Sequence, residues 1–309
     1  MTRSATDIAA GEGSRSVKVR LLAALRALRL HHWSKNALVF LPVLGAHRVS
    51  DPQALQRSGI AFLAFGLVAS AVYVVNDLAD VEADRLHPRK RMRPFASGLL
   101  PASAGLLLAP ALLVTAGAIA GALPGSFAVI LGAYFLVTLA YSLGVKRLAL
   151  VDVFVLGGLY TSRMYAGAFA TGIPVSEWLA SFSMFLFVSL AFLKRASELV
   201  ETDSAPARRG YLPVDRESVF TMGTSTGYLA ALVLALYVSS SDVRRLYARP
   251  EWLWALCPLV LYWVSHVWLR ARRGEVDDDP LVFALRDRVT WAVGALGSLV
   301  VVAATRGGP

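Results

Sequence analysis

A single cysteine, Cys257, stands in the 309-residue chain. This excludes an intrachain disulfide and a cysteine-rich metal site, and its place within an apolar run gives it a packing role. The histidines at 31, 32, 47, 87 and 266 are scattered and lack zinc-ligand spacing, so a histidine-centred triad is not expected. No glycine-rich phosphate loop and no Gly-x-Ser-x-Gly turn occurs. Charge is missing from long stretches, with none from Ile60 to Val75 or from Ala102 to Val145. Such runs are too long and too apolar for a soluble core. They do not alternate either, which argues against sheets and barrels.

What is present is apolar. Hydrophobic residues make up 56% of the chain and mean hydropathy is +0.56, against ~45–50% apolar in a soluble domain. A span takes roughly 20 mostly apolar residues. The spacing predicts an all-α, polytopic membrane bundle of about nine helices, at roughly 36–49, 57–76, 103–121, 126–143, 149–170, 178–196, 221–240, 252–270 and 289–305. Residues 1–16 are small and polar. They have no apolar centre beside a cleavage site, and the reading is a disordered tail rather than a secretory signal. Residues 17–35 carry leucines at 21, 22, 25 and 28 and arginines at 20, 26 and 29. That is either a basic helix on the membrane surface or a solvated lead-in to the transmembrane region, 36–309.

The net charge of +10 raises nucleic acid as a partner, and its distribution rejects it. With about nine spans and the N-terminus inside, 24 of the 31 Lys and Arg residues fall on the cytosolic side and six outside, with Arg163 inside a span. The basic charge therefore sets topology. It places the protein in the cell (inner) membrane with a cytosolic face suited to phosphates and anionic headgroups.

The segment Tyr73 to Pro94, YVVNDLADVEADRLHPRKRMRP, holds the densest chemistry. On a helix, Tyr73, Asn76, Asp77, Asp80 and Asp84 share one stripe. Like charges at that spacing repel unless a cation sits among them. Hard oxygen ligands suit Mg²⁺, which takes one or two carboxylates and fills its shell with water and substrate phosphate. The bases Arg89, Lys90, Arg91 and Arg93 follow at once. Carboxylates for a metal beside cations for phosphate oxygens match a Mg²⁺-diphosphate; the alternative is a solvated acidic loop.

Arg163 lies about 20 Å into the fifth span. At that depth it needs a polar cavity or a partner. It shares a face with Asp152, Leu156 and Tyr160, a stripe that Lys146 would join, and a structural ion pair with a neighbouring helix is the other reading. Lys35, in Trp33-Ser34-Lys35-Asn36, either snorkels to headgroups or projects into a phosphate site. Lys194-Arg195-Ala196-Ser197-Glu198 is either cytosolic flank or site wall. In Ala284-Leu285-Arg286-Asp287-Arg288 a structural role for Asp287 leads.

A basic-inside, nine-span chain with Asn76-Asp77-x-x-Asp80-x-x-x-Asp84 resembles the UbiA superfamily of membrane prenyltransferases. Within it the chain looks most like the phosphoribosyltransferases that act on polyprenyl phosphates. The matching pieces are Trp33-x-Lys35-Asn36, Ala71-Val72-Tyr73 through Pro94, Lys146, Tyr160-x-x-Arg163, Lys194-Arg195-x-x-Glu198 and Ala284 to Arg288. The resemblance implies a helical bundle around a central cavity. It implies a Mg²⁺ held by Asn76 and Asp80, with Asp77, Asp80, Asp84 and Arg163 in the catalytic group. Lys35, Tyr73, Lys90, Lys146, Arg163, Lys194 and Glu198 would bind substrate. Aromatic prenyltransferases of the superfamily carry a second Asp-rich motif where this chain has Lys194, Arg195 and Glu198, which favours the phosphoribosyl branch. The expected partners are a diphosphate-bearing donor, a polyprenyl lipid acceptor and membrane lipids. Prenyl transfer to an aromatic acceptor and non-enzymatic carriage of a phosphorylated lipid are the alternatives. Whether the chain forms a homo-oligomer stays open.

Overall fold

The computed structural model describes residues 19–88, 90–201, 210–276 and 280–305; the expected tail, 1–16, lies outside them. Every regular element among the described residues is helical. Helix α1 covers 19–27. A 3₁₀ segment, Leu30–Phe40, leads into α2, Leu41–Gly45. Then come α3 (Pro52–Ala79), α4 (Val81–Leu86), α5 (Ala102–Ala120), α6 (Gly125–Leu143), α7 (Val151–Thr171) and α8 (Glu177–Glu201). The remainder are α9 (Arg216–Ser239), α10 (Ser241–Leu246), α11 (Leu256–Arg272), α12 (Pro280–Arg286) and α13 (Arg288–Thr305).

Seven helical stretches are long and apolar enough to cross a membrane: α3, α5, α6, α8 and α13, and α9 and α11 each with the 3₁₀ turn before it. Their outward side chains are apolar, as at Leu106, Leu107, Val114, Val129 and Leu136, which suits hydrocarbon as solvent. The protein is a multi-pass membrane protein. Two further expected spans are more polar or less regular. Helix α7 has 21 residues, about 30 Å at 1.5 Å per residue, but carries buried Asp152 and Arg163. The first expected span, 36–49, is not one α-helix. It begins earlier, as the 3₁₀ segment, and becomes α-helical at Leu41, with Pro42, which cannot donate a backbone hydrogen bond, tolerated in the first turn.

Helix α3 starts where it does because Asp51 accepts hydrogen bonds from the Ala54 and Gln53 amides, with Pro52 next in the chain. Those amides, Ala54 first, and the nearby Arg48 hold the Asp51 carboxyl below its ordinary range.

The chain divides into two compact units: Met1–Ser142 with Arg163–Ile173, and Leu143–Ser162 with Pro174–Pro309. In the first, small residues on α3 seat Trp33. A Cβ on Gly66 would lie 2.5 Å from the Trp33 ring. Ser70, four residues on, accepts from the indole at 3.0 Å and donates to the Leu28 carbonyl at 2.7 Å. This fixes the start of the 3₁₀ segment on α3. Ala23 and Ala27 of α1 are buried in a cluster with Ala71 and Val74 of α3 and Ala109 and Leu112 of α5, while Leu21, Leu22 and Leu25 point outward. The second unit is built on α8, α9 and α11, where Trp268 packs over Gly223 and donates to Ser189 Oγ at 3.1 Å.

At Gly167 a Cβ would lie 1.9 Å from the Val39 carbonyl oxygen. A backbone atom cannot rotate away, so Gly167→Ala is expected to destabilise by about 3 kcal/mol or more, the upper range of overpacking. Gly117 has open space around it, so Gly117→Ala should leave the unfolding midpoint in detergent unchanged or slightly raised.

Candidate functional site

The acids straddle the junction of α3 and α4: Asp77 lies in the last turn of α3, Asp80 caps it and Asp84 is on α4, so the single stripe expected on one helix is interrupted at Asp80. Asp77 and Asp84 are both buried, at 2% and 3% exposure. The cations that relieve their repulsion belong to the protein. Arg93 Nη1 lies 3.2 Å from Asp77 Oδ1 and 2.6 Å from Asp84 Oδ2. Arg29 Nη2 donates to Asp77 Oδ1 at 2.6 Å. The cation expected among Asp77, Asp80 and Asp84 is thus, at Asp77 and Asp84, an arginine. Arg29 reaches Asp77 from a left-handed backbone, φ 50, uncommon for a residue with a Cβ. Sequence reasoning placed Arg29 in a segment that is either a surface helix or a solvated lead-in; nothing local signals a pairing 48 residues away. Arg93 rather than Lys90 clamps the acids, and Lys90 is exposed on a short 3₁₀ turn.

Asn76 and Asp80, four residues apart, are arranged differently. Asp80 is the C-terminal cap of α3, and its side chain is exposed. Asn76 Nδ2 donates to Ser142 Oγ at 2.9 Å, which leaves Oδ1 as the ligand atom. Asp77 Oδ2 is buried with no hydrogen-bond partner among the described residues. No three His, Cys, Asp or Glu side chains among the described residues converge as a metal cluster. Two oxygen ligands on successive turns fit Mg²⁺ better than a zinc or calcium cage, because Mg²⁺ keeps much of its shell for water and phosphate.

Tyr73, one turn before Asn76, takes the Arg29 guanidinium over its ring at 4.9 Å and the His32 ring at 5.2 Å. Lys35, half-buried, and Arg163 also act electrostatically on Tyr73. Arg163 is buried at 7% exposure. It donates to Asn36 Oδ1 at 2.9 Å and to the Tyr134 hydroxyl at 2.8 Å, with its guanidinium 4.9 Å from the Tyr134 ring centre. Asn36 Nδ2 is buried without a partner among the described residues. Sequence reasoning missed Tyr134, which lies in a charge-free run with no local signal. The first unit thus brings together Lys35, Tyr73, Asn76, Asp77, Asp80, Asp84 and Arg163.

Lys146, Lys194 and Glu198 belong to the second unit. Lys146 sits half-buried in the 3₁₀ turn Val145–Arg147. Near the end of α8, Arg195 is 1% exposed and bonds Asp152 on α7, itself 0% exposed, at 2.5 Å. Glu198 pairs with the same Arg195. The polar stripe expected along α7 is therefore divided, Asp152 serving Arg195 and Arg163 serving Asn36 and Tyr134. Tyr211 completes the Asp152 group. Its hydroxyl donates to Asp152 Oδ1 and accepts from the Leu150 amide, both at 2.8 Å. Gly210, at φ +74, lets the chain pass the Arg147 carbonyl, which a Cβ would meet at 2.5 Å.

Burial pushes the Tyr211 phenol well above its ordinary value of 10.0; the Leu150 amide opposes this and the Asp152 carboxylate adds to it. The unfolded phenol ionises near pH ~10. The stability Tyr211 contributes is then complete below that pH and is lost as pH rises above it. Tyr211→Phe should cost about 1–3 kcal/mol by stranding the Leu150 amide. It should also flatten the fall of the unfolding midpoint above pH ~10.

The profile of the UbiA prenyltransferase family matches residues 37–303. The chain belongs to this family. Among solved structures, a UbiA homolog from Archaeoglobus fulgidus bound to GPP and Mg²⁺ superposes with a TM-score of 0.68 at 20% identity, covering 91% of this chain and 97% of that one. That likeness establishes the fold. Among curated relatives, "Nodulation protein NoeC" of Azorhizobium caulinodans is 38% identical over 88% of this UbiA-family chain and 90% of its own length. "Uncharacterized protein y4nM" of Sinorhizobium fredii is 40% identical over 88% of this chain, but the chain spans only 54% of that protein. "Decaprenyl-phosphate phosphoribosyltransferase" of Mycobacterium tuberculosis is 39% identical over 57% of this chain and 59% of its own length.

Proposed function

We propose that this UbiA-family transferase moves 5-phosphoribosyl from phosphoribosyl diphosphate to a polyprenyl phosphate, with Mg²⁺, at the cytosolic face of the inner membrane. The observation that carries the reading is at the end of α8. There Glu198 is bound to Arg195 and Arg195 to Asp152, so among the described residues this end gathers no second carboxylate metal site. A single Asp-rich segment, at the end of α3, then serves one diphosphate. The partial likeness to decaprenyl-phosphate phosphoribosyltransferases supports the same choice.

In the transfer, the bond from ribose C1 to the diphosphate oxygen breaks and the oxygen keeps the electron pair. A lipid phosphate oxygen forms the new bond to C1. Charge grows positive at C1 and negative on the leaving group. The protein's task is therefore electrostatic and positional. Asn76 Oδ1 and Asp80 would hold Mg²⁺, which neutralises diphosphate when bound. Lys35, Lys90, Lys146, Lys194 and Arg163 are assigned to donor and lipid phosphates, and Tyr73 lines the donor site. The acceptor is already anionic and needs no strong general base, in keeping with the scattered histidines.

Purified protein in nanodiscs should release diphosphate from phosphoribosyl diphosphate only when a polyprenyl phosphate is present. EDTA should stop the release and added Mg²⁺ restore it. Release from geranyl diphosphate with an aromatic acid, and none from phosphoribosyl diphosphate, would move the assignment to prenyl transfer.

A further inference from the structure

Helix α6 turns one narrow face inward. Phe127, Leu131 and Tyr134 are its buried residues, and steps of four and eight from Tyr134 place Thr138 and Ser142 on the same stripe. The stripe thus changes from apolar to hydroxyl-bearing toward the end of the helix. Thr138 turns its hydroxyl to its own helix, donating to the Tyr134 carbonyl at 2.6 Å. Ser142, half-buried in the last turn, instead accepts from Asn76 Nδ2 on α3 at 2.9 Å. Both residues lie in the first unit.

That contact bears on the proposed Mg²⁺ site. Asn76 can offer a hard cation only Oδ1; Nδ2 carries two hydrogens and no free acceptor site. The two ends are close in size, and a half-turn about the last side-chain bond exchanges them. A carboxylate at the same place would offer an oxygen either way, so the need for orientation is peculiar to an asparagine ligand. Asp80, the other proposed ligand, caps α3 with an exposed carboxylate and has no such need. We propose that Ser142 is a positioning residue: by accepting from Nδ2 it holds the Asn76 amide with Oδ1 toward the cation. The inference rests on the reading of Asn76 and Asp80 as the Mg²⁺ ligands. Ser142 stands 66 residues from Asn76, in the charge-free run from Ala102 to Val145, where nothing in the sequence marks it.

The test reads metal binding without turnover. The full chain in phosphatidylcholine nanodiscs, with inorganic diphosphate, is titrated with Mn²⁺ as a paramagnetic stand-in for Mg²⁺. Free Mn²⁺ is followed by electron paramagnetic resonance, and Asp80→Ala sets the background. Ser142→Ala should weaken Mn²⁺ binding about ten-fold or more, the usual effect of removing a group that orients a metal ligand. Ser142→Thr, which keeps the hydroxyl, should restore most of it. In an Asn76→Asp chain the ligand needs no orienting. There Ser142→Ala should change the affinity by less than about two-fold, so that the two substitutions are coupled. Equal Mn²⁺ affinity of wild type and Ser142→Ala, both above background, overturns the inference and leaves the metal site standing. So does an equal loss in both backgrounds, or a lower melting temperature with unchanged affinity, since either marks a purely structural serine. Wild-type binding no tighter than that of Asp80→Ala removes the metal site and the inference with it.

Discussion

Asp80→Ala is expected to lose transferase activity by about a thousandfold, equivalent to about 4 kcal/mol of transition-state stabilisation, while unfolding at the wild-type midpoint. The stability half follows from exposure: Asp80 ends α3 with its side chain in solvent. The activity half follows from charge, because removing one of the two proposed oxygen ligands would weaken the hold on a Mg²⁺-diphosphate at the moment negative charge grows on the leaving group. The neighbours should behave differently. Asp77→Ala leaves Arg29 without its carboxylate, and Asp84→Ala removes a partner of Arg93, so both should also lower the midpoint. Near-normal turnover by Asp80→Ala would remove the metal assignment.

The largest effect on stability is expected at Arg195. Arg195→Ala leaves the Asp152 carboxylate, fully buried in the second unit, without its counter-charge. Breaking a buried pair from one side costs about 3–5 kcal/mol. Glu198→Ala removes a partner that is 29% exposed, a pair worth about 0–1 kcal/mol. Because the two buried charges are coupled, Asp152→Ala with Arg195→Ala should be less destabilised than the sum of the single variants. Unfolding in mixed micelles would measure the cycle. Additive losses would mean that the two groups act independently.

The positions of the helices were legible because apolar runs are a strong, local signal. Where the spans departed from a plain apolar helix, the cause was chemical detail: Pro42 at the start of α2 in the first, and buried Asp152 and Arg163 in the otherwise regular α7. The gathering of acids from Asp77 to Asp84 was legible in the sequence, as was the depth of Arg163, but the break at Asp80 that turns its side chain outward was not. Their partners were not. Arg29 meets Asp77 and Asn36 meets Arg163 across 48 and 127 residues, and no periodicity carries such pairings. Tyr134 was hidden for another reason, being one more aromatic in an apolar span. At the end of α8, the sequence shows alternating bases and acids. Only the fold reveals that Arg195 is taken up by Asp152 and Glu198.

The most direct test of the account is the identity of the lipid product. Purified protein would be given labelled phosphoribosyl diphosphate, Mg²⁺ and a polyprenyl phosphate, and the lipid fraction analysed by mass spectrometry. The account predicts a phosphoribosyl-phosphoryl lipid formed in equal amount with free diphosphate. Absence of that lipid, with either a prenylated aromatic product from prenyl diphosphate or lipid flux across liposomes without any covalent product, would contradict it.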